Sequence, residues 1–166
     1  MDEMPKIADD ISSAFNTSAR KHNRIVEQVV YPFARSLNDI SDAEKCSKLT
    51  VLLSHESPFT RYWGAIIALS YKVLKKEALA ALLDIVDFKF PEAPLSELDE
   101  NERGYRMSFS LLQMDVETSL VELFRTKKIG SYPGQIKNSK CYILSDPRLA
   151  ISYYRMKVKH MKATAI

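Results

Sequence analysis

The stretch that decides the fold is residues 54–69, SHESPFTRYWGAIIAL. Pro58 has no amide hydrogen and disfavours helical dihedral angles at the residue before it, so the sequence predicts Ser57 as the N-cap and Pro58 as the first residue of a helix. At about 100° per residue, the large apolar side chains of this helix fall on one face, where we expect Trp63 to be largely buried. Gly64 beside it allows another helix to approach closely.

Helical patterns continue on both sides of this stretch. Residues 17–37 carry apolar side chains at four-residue steps, and Pro32 is expected to kink or divide that helix near residues 28–31. Ser41 and Glu44 have the spacing of a capping box, which opens the helix before residue 54. The other predicted features are helices over 4–15, 75–86, 105–114, 116–126 and 148–163, a turn over 71–74, an extended piece over 141–146, and a loop over 87–104 that runs into a helix start near Ser96 or Asp99.

Composition predicts one all-α domain in a reducing compartment. The 166 residues are 46% hydrophobic and include only four glycines, while apolar residues recur at three- and four-residue steps. The beginning of the sequence does not look like a secretory signal, and no run of about 18 apolar residues occurs, so we expect a cytoplasmic protein without a membrane partner. Cys46 and Cys141 are too far apart in sequence to indicate a disulfide framework or a zinc site.

The net charge of +3 averages two unlike parts. From Arg125 onward there are ten basic residues and one acid, whereas the first 124 residues contain 14 basic and 20 acidic residues. This asymmetry indicates either a solvated basic tail on an acidic body or an electrostatic preference for a partner.

Several features of residues 48–86 resemble a HEAT-type helical repeat. They are the paired leucines before the turn, the Glu-Ser-Pro turn itself, Arg61 followed by aromatic and small residues, and a further apolar helix. The earlier KHNRIVEQVVYPFARSL and the later FKFPEAP also resemble parts of a small bacterial HEAT-like family of unknown function, whose members often look like toxin immunity proteins. The resemblance covers residues 17–126, and the Glu-rich connection at 92–102 and the basic extension depart from it.

This resemblance implies a HEAT-like right-handed α-α superhelix of about six to eight helices. We expect a helical body over residues 1–126. A basic loop and helix over residues 127–166 would pack on this body or extend from it.

No pattern in the sequence indicates catalysis, a metal or a cofactor. His55 next to Glu56 suggests an acid/base pair, but adjacent residues point to different sides, and the alternative is a turn histidine that closes the preceding helix. His22 and His160 are isolated on basic helices, and Cys46 is more typical of a small core residue than of a nucleophile. The four glycines fit no nucleotide-binding motif. We therefore expect a protein that is not an enzyme, has no catalytic or metal-ligating residues and needs no cofactor.

The leading hypothesis is a binding protein, and more narrowly an immunity protein that blocks a toxin encoded by a neighbouring gene. In this hypothesis, an acidic surface faces a basic active site and imitates its phosphate substrate. The predicted partner-binding residues are Glu92, Glu97, Asp99, Glu100 and Glu102, joined by Asp84 and Asp87 on the preceding helix.

The alternatives are a nucleic-acid-binding protein and an adaptor. In the first, tyrosines interleaved with basic residues in the last third of the chain would contact a nucleic-acid strand. In the second, exposed ends of the helical stack would meet another copy, so monomer and homodimer both stay open. The residues assigned to nucleic-acid binding are Lys137, Lys140, Arg148, Arg155, Lys157 and Lys159.

Overall fold

A computed structural model of the protein describes residues 2–125. These residues form helices and connecting loops with no strand among them, which confirms the all-α fold class. They divide into two compact units, and the boundary falls between Leu83 and Asp84. We refer to residues 2–83 as the first unit and to residues 84–125 as the second unit. No helix within the described range is long and apolar enough to cross a membrane.

The first helices show how Pro32 changes a long helix. The elements are α1 (Met4–Ser12), α2 (Ala19–Ile25), a π-helical segment (Val26–Val30) and α3 (Tyr31–Ser36). Because Pro32 has no N–H to donate to the carbonyl of Gln28, the hydrogen-bond ladder widens at this point. The Tyr31 N–H donates to the Val26 carbonyl, five residues back. The predicted division near residues 28–31 is confirmed.

The next two helices, α4 (Asp42–Leu53) and α5 (Pro58–Ser70), form an αα-hairpin. The predicted capping box opens α4: the Ser41 hydroxyl accepts the Glu44 N–H, and the Glu44 carboxylate accepts the Ser41 N–H at 3.0 Å. That backbone hydrogen bond lowers the pKa of Glu44. The two helices approach closely at Gly64, where an added Cβ would lie 2.8 Å from the Cβ of Leu52.

Trp63 lies in the centre of the first unit, as predicted, with 3% of its surface exposed. Its ring contacts Phe59 edge-on at a centroid distance of 6.3 Å and Tyr62 at 5.4 Å. On another side of α5, the Thr60 hydroxyl donates to the Ala8 carbonyl of α1 at 3.1 Å, a buried hydrogen bond. Since α1 packs on both α4 and α5, α5 is covered on more than one side.

The turn between α4 and α5 is held by His55 and Arg61. The Ser57 N–H donates to His55 Nδ1 at 3.0 Å, and Arg61 Nη1 donates to the carbonyls of His55 and Glu56 at 2.8 and 2.7 Å. Ser57 is the N-cap of α5 and Pro58 its first residue, as predicted. The Ser57 side chain makes no capping hydrogen bond, and its hydroxyl is buried without a hydrogen-bond partner in the described structure.

The end of α5 is a Schellman motif, in which the Val73 N–H donates to the Ala68 carbonyl at 3.0 Å. The motif requires a left-handed residue, and here Lys72 adopts it with φ of 59°. Leu74 follows with φ of 47° and leads into α6 (Lys75–Asp87). The turn predicted over residues 71–74 is confirmed, although neither left-handed position carries the glycine that would adopt it without strain.

The second unit contains the end of α6, a loop with one 3₁₀ turn (Leu95–Glu97), and the 26-residue helix α7 (Glu100–Arg125). Two helices divided near residues 114–115 were expected here, and that prediction is wrong. Thr118 and Ser119 donate their hydroxyls to the carbonyls of Met114 and Asp115 at 2.9 and 3.0 Å, so these polar side chains are satisfied inside one continuous helix.

The remaining predicted features lie outside the described residues. They are the extended piece over 141–146, the helix over 148–163, and the basic segment 127–166. The predicted right-handed superhelical arrangement of the helices is a separate point, and it stays a prediction.

Candidate functional site

Within residues 2–125, the excess negative charge lies in the second unit. Residues 84–125 contain ten acidic and four basic residues, a net charge of −6, whereas residues 2–83 contain ten acidic and eleven basic residues. The acidic excess noticed in the first 124 residues therefore belongs to one unit. An electrostatic interaction with a basic partner would act on that unit first.

The five predicted partner-binding acids lie between the end of α6 and the first turn of α7. Glu92 is in the loop and Glu97 in the 3₁₀ turn, while Asp99 immediately precedes α7 and Glu100 and Glu102 are in its first turn. All five side chains are exposed. The placement of Asp99, Glu100 and Glu102 at the N-terminus of a long helix is favourable, because negative charge there interacts well with the positive end of the helix dipole.

Two of these acids have a structural task. The Asp99 carboxylate accepts the N–H of Glu102 at 2.7 Å and so caps α7. Glu102 in turn pairs with Arg106 at 3.0 Å. Among the residues that the structure describes, the carboxylates of Glu92, Glu97 and Glu100 make no hydrogen bond or ion pair of this kind, and these three are the best placed to meet a partner.

An aromatic cluster lies against this acidic segment. It consists of two residues from the loop after α6 and two from α7: Phe88, Phe90, Tyr105 and Phe109. Phe90 contacts Phe88 edge-on at a centroid distance of 5.0 Å and Phe109 at 5.2 Å. Phe109 is buried, but 48% of the surface of Phe88 and 36% of that of Tyr105 are exposed. The cluster thus presents aromatic surface beside exposed carboxylates.

Arg106 connects the aromatic cluster to the acids. Its guanidinium lies 4.8 Å from the centroid of the Phe90 ring, Nη2 donates to the Glu102 carboxylate, and Nη1 donates to the Pro91 carbonyl at 3.0 Å. Gln113 holds the other end of the loop, since its Nε2 donates to the carbonyls of Ile85 and Phe88 at 2.9 and 2.8 Å. The loop is therefore tied to α7 at two points.

An open groove of about 650 Å³ lies beside the cluster. Its lining has one carboxylate, that of Glu92, and one guanidinium, that of Arg106, among proline, alanine and phenylalanine side chains. This chemistry suits the recognition of a protein segment, because it combines apolar surface with a few directed charges.

The histidine environments favour structural roles. His55 pairs with Asp9 of α1 at 3.1 Å and not with its neighbour Glu56. Because Nδ1 accepts the Ser57 N–H, Nε2 carries the proton and donates it to Asp9, so both ring nitrogens are engaged. His22 packs on Phe59 at a centroid distance of 5.2 Å, with Nδ1 3.2 Å from the Ala14 carbonyl.

Cys46 is half-buried in α4. Among the side chains that the structure describes, no three from His, Cys, Asp or Glu are grouped so that they could hold a metal ion. The six basic residues assigned to nucleic-acid binding, and His160, lie outside the described residues.

The sequence interpretation missed the aromatic cluster. FKFP at residues 88–91 contributed only to a family resemblance, and the four-residue step from Tyr105 to Phe109 was treated as ordinary helix patterning. The available signal was the presence of three aromatic residues next to the most acidic part of the chain.

No protein-family model matches this chain, nor does any curated protein or solved structure. The likeness to HEAT-type repeats therefore rests on the sequence features described above.

Proposed function

We propose that this chain is a non-catalytic protein-binding protein of the HEAT-like helical type. It engages another protein through the second unit. The all-α fold and the tight αα-hairpin of α4 and α5 support the architectural part of the proposal, and the right-handed α-α superhelix belongs to it as well.

The observation that carries the proposal is the coincidence of charge and apolar exposure. Where the structure describes side chains, over residues 2–94 and 96–120, the four exposed large hydrophobic side chains all lie in the second unit, which also has the net charge of −6. Exposed aromatic and apolar side chains supply contact area, while surrounding charges direct the encounter. The four side chains are Phe88, Tyr105, Met107 and Leu111.

The narrower form of the proposal is an immunity protein that neutralises a toxin. The resemblance stated above suggests this role, and a surface with exposed Glu92, Glu97 and Glu100 is suited to face a basic active site such as that of a nuclease. The acids would raise the association rate more than they strengthen the bound state, because exposed ion pairs contribute little affinity.

The test is binding to the protein encoded by the neighbouring gene, measured with a charge-reversed variant. Glu92→Lys, Glu97→Lys and Glu100→Lys together change the surface by +6 charges without removing the Asp99 cap or the Glu102 ion pair. We expect association to slow about 10- to 100-fold at low salt, with a smaller effect at high salt.

A matched control makes the same charge change in the first unit, at the exposed acids Glu27, Asp39 and Glu56. This variant should retain the association rate to within about threefold, because the reversed charges are not on the proposed surface. Equal rates for both variants would remove the acidic segment from the mechanism. Salt-sensitive binding of DNA or RNA, with no binding to the neighbouring protein, would favour the nucleic-acid alternative.

A further inference from the structure

The second unit contains an internal example of how it can hold an arginine. The Arg106 guanidinium stacks over Phe90, with 4.8 Å between the guanidinium carbon and the ring centroid, and pairs with Glu102 at 3.0 Å. A planar cation thus has an aromatic face on one side and a carboxylate at its edge. This combination uses both properties that distinguish arginine from lysine, namely stacking and directed hydrogen bonding.

Phe88 offers a second aromatic surface next to this arrangement. Its ring centroid is 5.0 Å from that of Phe90 and 5.2 Å from that of Phe109, so the ring is held by its neighbours on one side. Almost half of the surface of Phe88, 48%, is exposed, and so is 36% of the surface of Tyr105.

The charge around these rings favours a cation. Residues 84–107 contain seven acids and three bases, and one of the bases, Arg106, is already paired with Glu102. The other two bases, Lys89 and Arg103, are exposed. Asp87 precedes Phe88 directly in the chain, and its side chain is exposed. The local excess of negative charge would repel a phosphate backbone and attract a basic protein segment.

We infer that the exposed faces of Phe88 and Tyr105 bind arginine side chains of a basic partner segment, whose guanidinium groups also pair with the neighbouring carboxylates. This inference rests on the proposed function and specifies the chemistry of its partner. A purely apolar helix would leave the surrounding acids unpaired, and a lysine-rich segment would satisfy the acids but stack less well on the rings. The arrangement therefore selects arginine among the basic residues.

Three peptides probe this selectivity with the full-length protein. They are identical except that two positions four residues apart carry arginine, lysine or the uncharged isostere citrulline. At low ionic strength, calorimetric titration should show the arginine peptide binding about 3- to 10-fold more tightly than the lysine peptide. The citrulline peptide should bind more weakly than either, because it lacks the charge.

Two variants test whether Phe88 and Tyr105 cause the preference for arginine. The double variant Phe88→Leu and Tyr105→Leu keeps apolar side chains at both positions and should lose the arginine preference, while its affinity for the lysine peptide stays within about twofold. The control Leu111→Ser changes an exposed apolar residue that lies more than 100° around α7 from Tyr105, and it should keep the preference. Melting curves of both variants verify that they fold.

Equal affinities for the arginine and lysine peptides in the unaltered protein would overturn the inference. So would an arginine preference that survives in the Leu double variant, or one that disappears equally in Leu111→Ser. None of these peptide results decides the proposed function, which is tested by binding to the protein encoded by the neighbouring gene. Suppose that the charge-reversed variant of Glu92, Glu97 and Glu100 loses binding to the natural partner while the variant with Phe88→Leu and Tyr105→Leu binds it normally. In that case the proposed function stands and the arginine inference fails.

Discussion

The two units of this protein differ in whether their large hydrophobic side chains are exposed. In the first unit, Trp63 is buried with its ring against Tyr31, Phe59 and Tyr62, and acidic and basic residues nearly balance. In the second unit, four large hydrophobic side chains are exposed and acids exceed bases by six. The difference teaches that the most conspicuous sequence stretch, residues 54–69, specifies the scaffold, whereas the exposed aromatic and acidic side chains on which the proposed binding rests lie in the less conspicuous loop before α7 and in α7 itself.

The largest expected effect tests the first half of this comparison. Trp63→Ala should lower the free energy of unfolding by about 3–5 kcal/mol, because truncation leaves a cavity in a site with 3% exposure. Urea denaturation followed by circular dichroism measures it. Leu111→Ala in the second unit, where 58% of the side chain is exposed, is the comparison variant and should change stability by no more than about 0.5 kcal/mol. Similar losses in both variants would erase the contrast between the units.

A smaller effect is expected at the contact between α4 and α5. Gly64→Ala should destabilise the protein by about 1–3 kcal/mol, since the new Cβ would lie 2.8 Å from the Leu52 Cβ and force the helices apart. Helix propensity alone predicts the opposite sign, a gain of about 1 kcal/mol. The direction of the change in the same denaturation experiment decides between packing and propensity.

The acids of the second unit should differ in their effect on stability, since Asp99 caps α7 and Glu97 does not. Asp99→Ala should cost about 1 kcal/mol, because the Glu102 N–H loses its acceptor at the start of α7, while Asp99→Asn should recover most of the loss. Glu97→Gln is the matched control and should change stability by less than about 0.5 kcal/mol. Thermal melts of the three variants provide the measurement. A loss at Glu97 equal to that at Asp99 would contradict the division of roles.

The smallest expected effect concerns the left-handed residue that ends α5. Lys72→Gly should stabilise the protein by about 0.5–1 kcal/mol, because φ of 59° is strained for a residue with a Cβ. Lys76→Gly, at the second position of α6, should instead destabilise it, by at most about 1 kcal/mol. Opposite shifts in the urea midpoint confirm that backbone conformation, and not the loss of a lysine charge, produces the effect.

Local chemistry allowed much of the first unit to be predicted from the sequence. Pro32 marks the π-helical segment, Ser41 and Glu44 form their capping box, and Pro58 begins α5, because each of these features depends on residues within about four positions. The role of His55 was half-predictable: its position in the turn follows from the sequence, but its partner Asp9 is 46 residues away.

The second unit was less predictable because its features depend on contacts between distant residues. Phe88 and Phe109 meet only when the loop folds back on α7, and no local pattern sets the hydrogen bonds from Gln113 that hold it there. A break near residues 114–115 was expected, but α7 runs through this position, and the hydroxyls of Thr118 and Ser119 are satisfied by carbonyls within the helix. The acids were noticed as a group, and only the structure separates the Asp99 cap from the exposed carboxylates.

The π-helical segment before Pro32 also determines how α2 is rotated about the helix axis. A π turn contains one residue more than an α turn, so α2 is rotated by about 100° about the helix axis relative to the orientation that an unbroken α-helix would give it. That rotation accompanies the placement of His22 against Phe59 and the Ala14 carbonyl, while Phe33 and Ala34 of α3 remain buried. Deleting one residue between 26 and 30 would restore the α-helical count and turn His22 away from both contacts. The number of residues in this segment is therefore constrained by contacts made outside it.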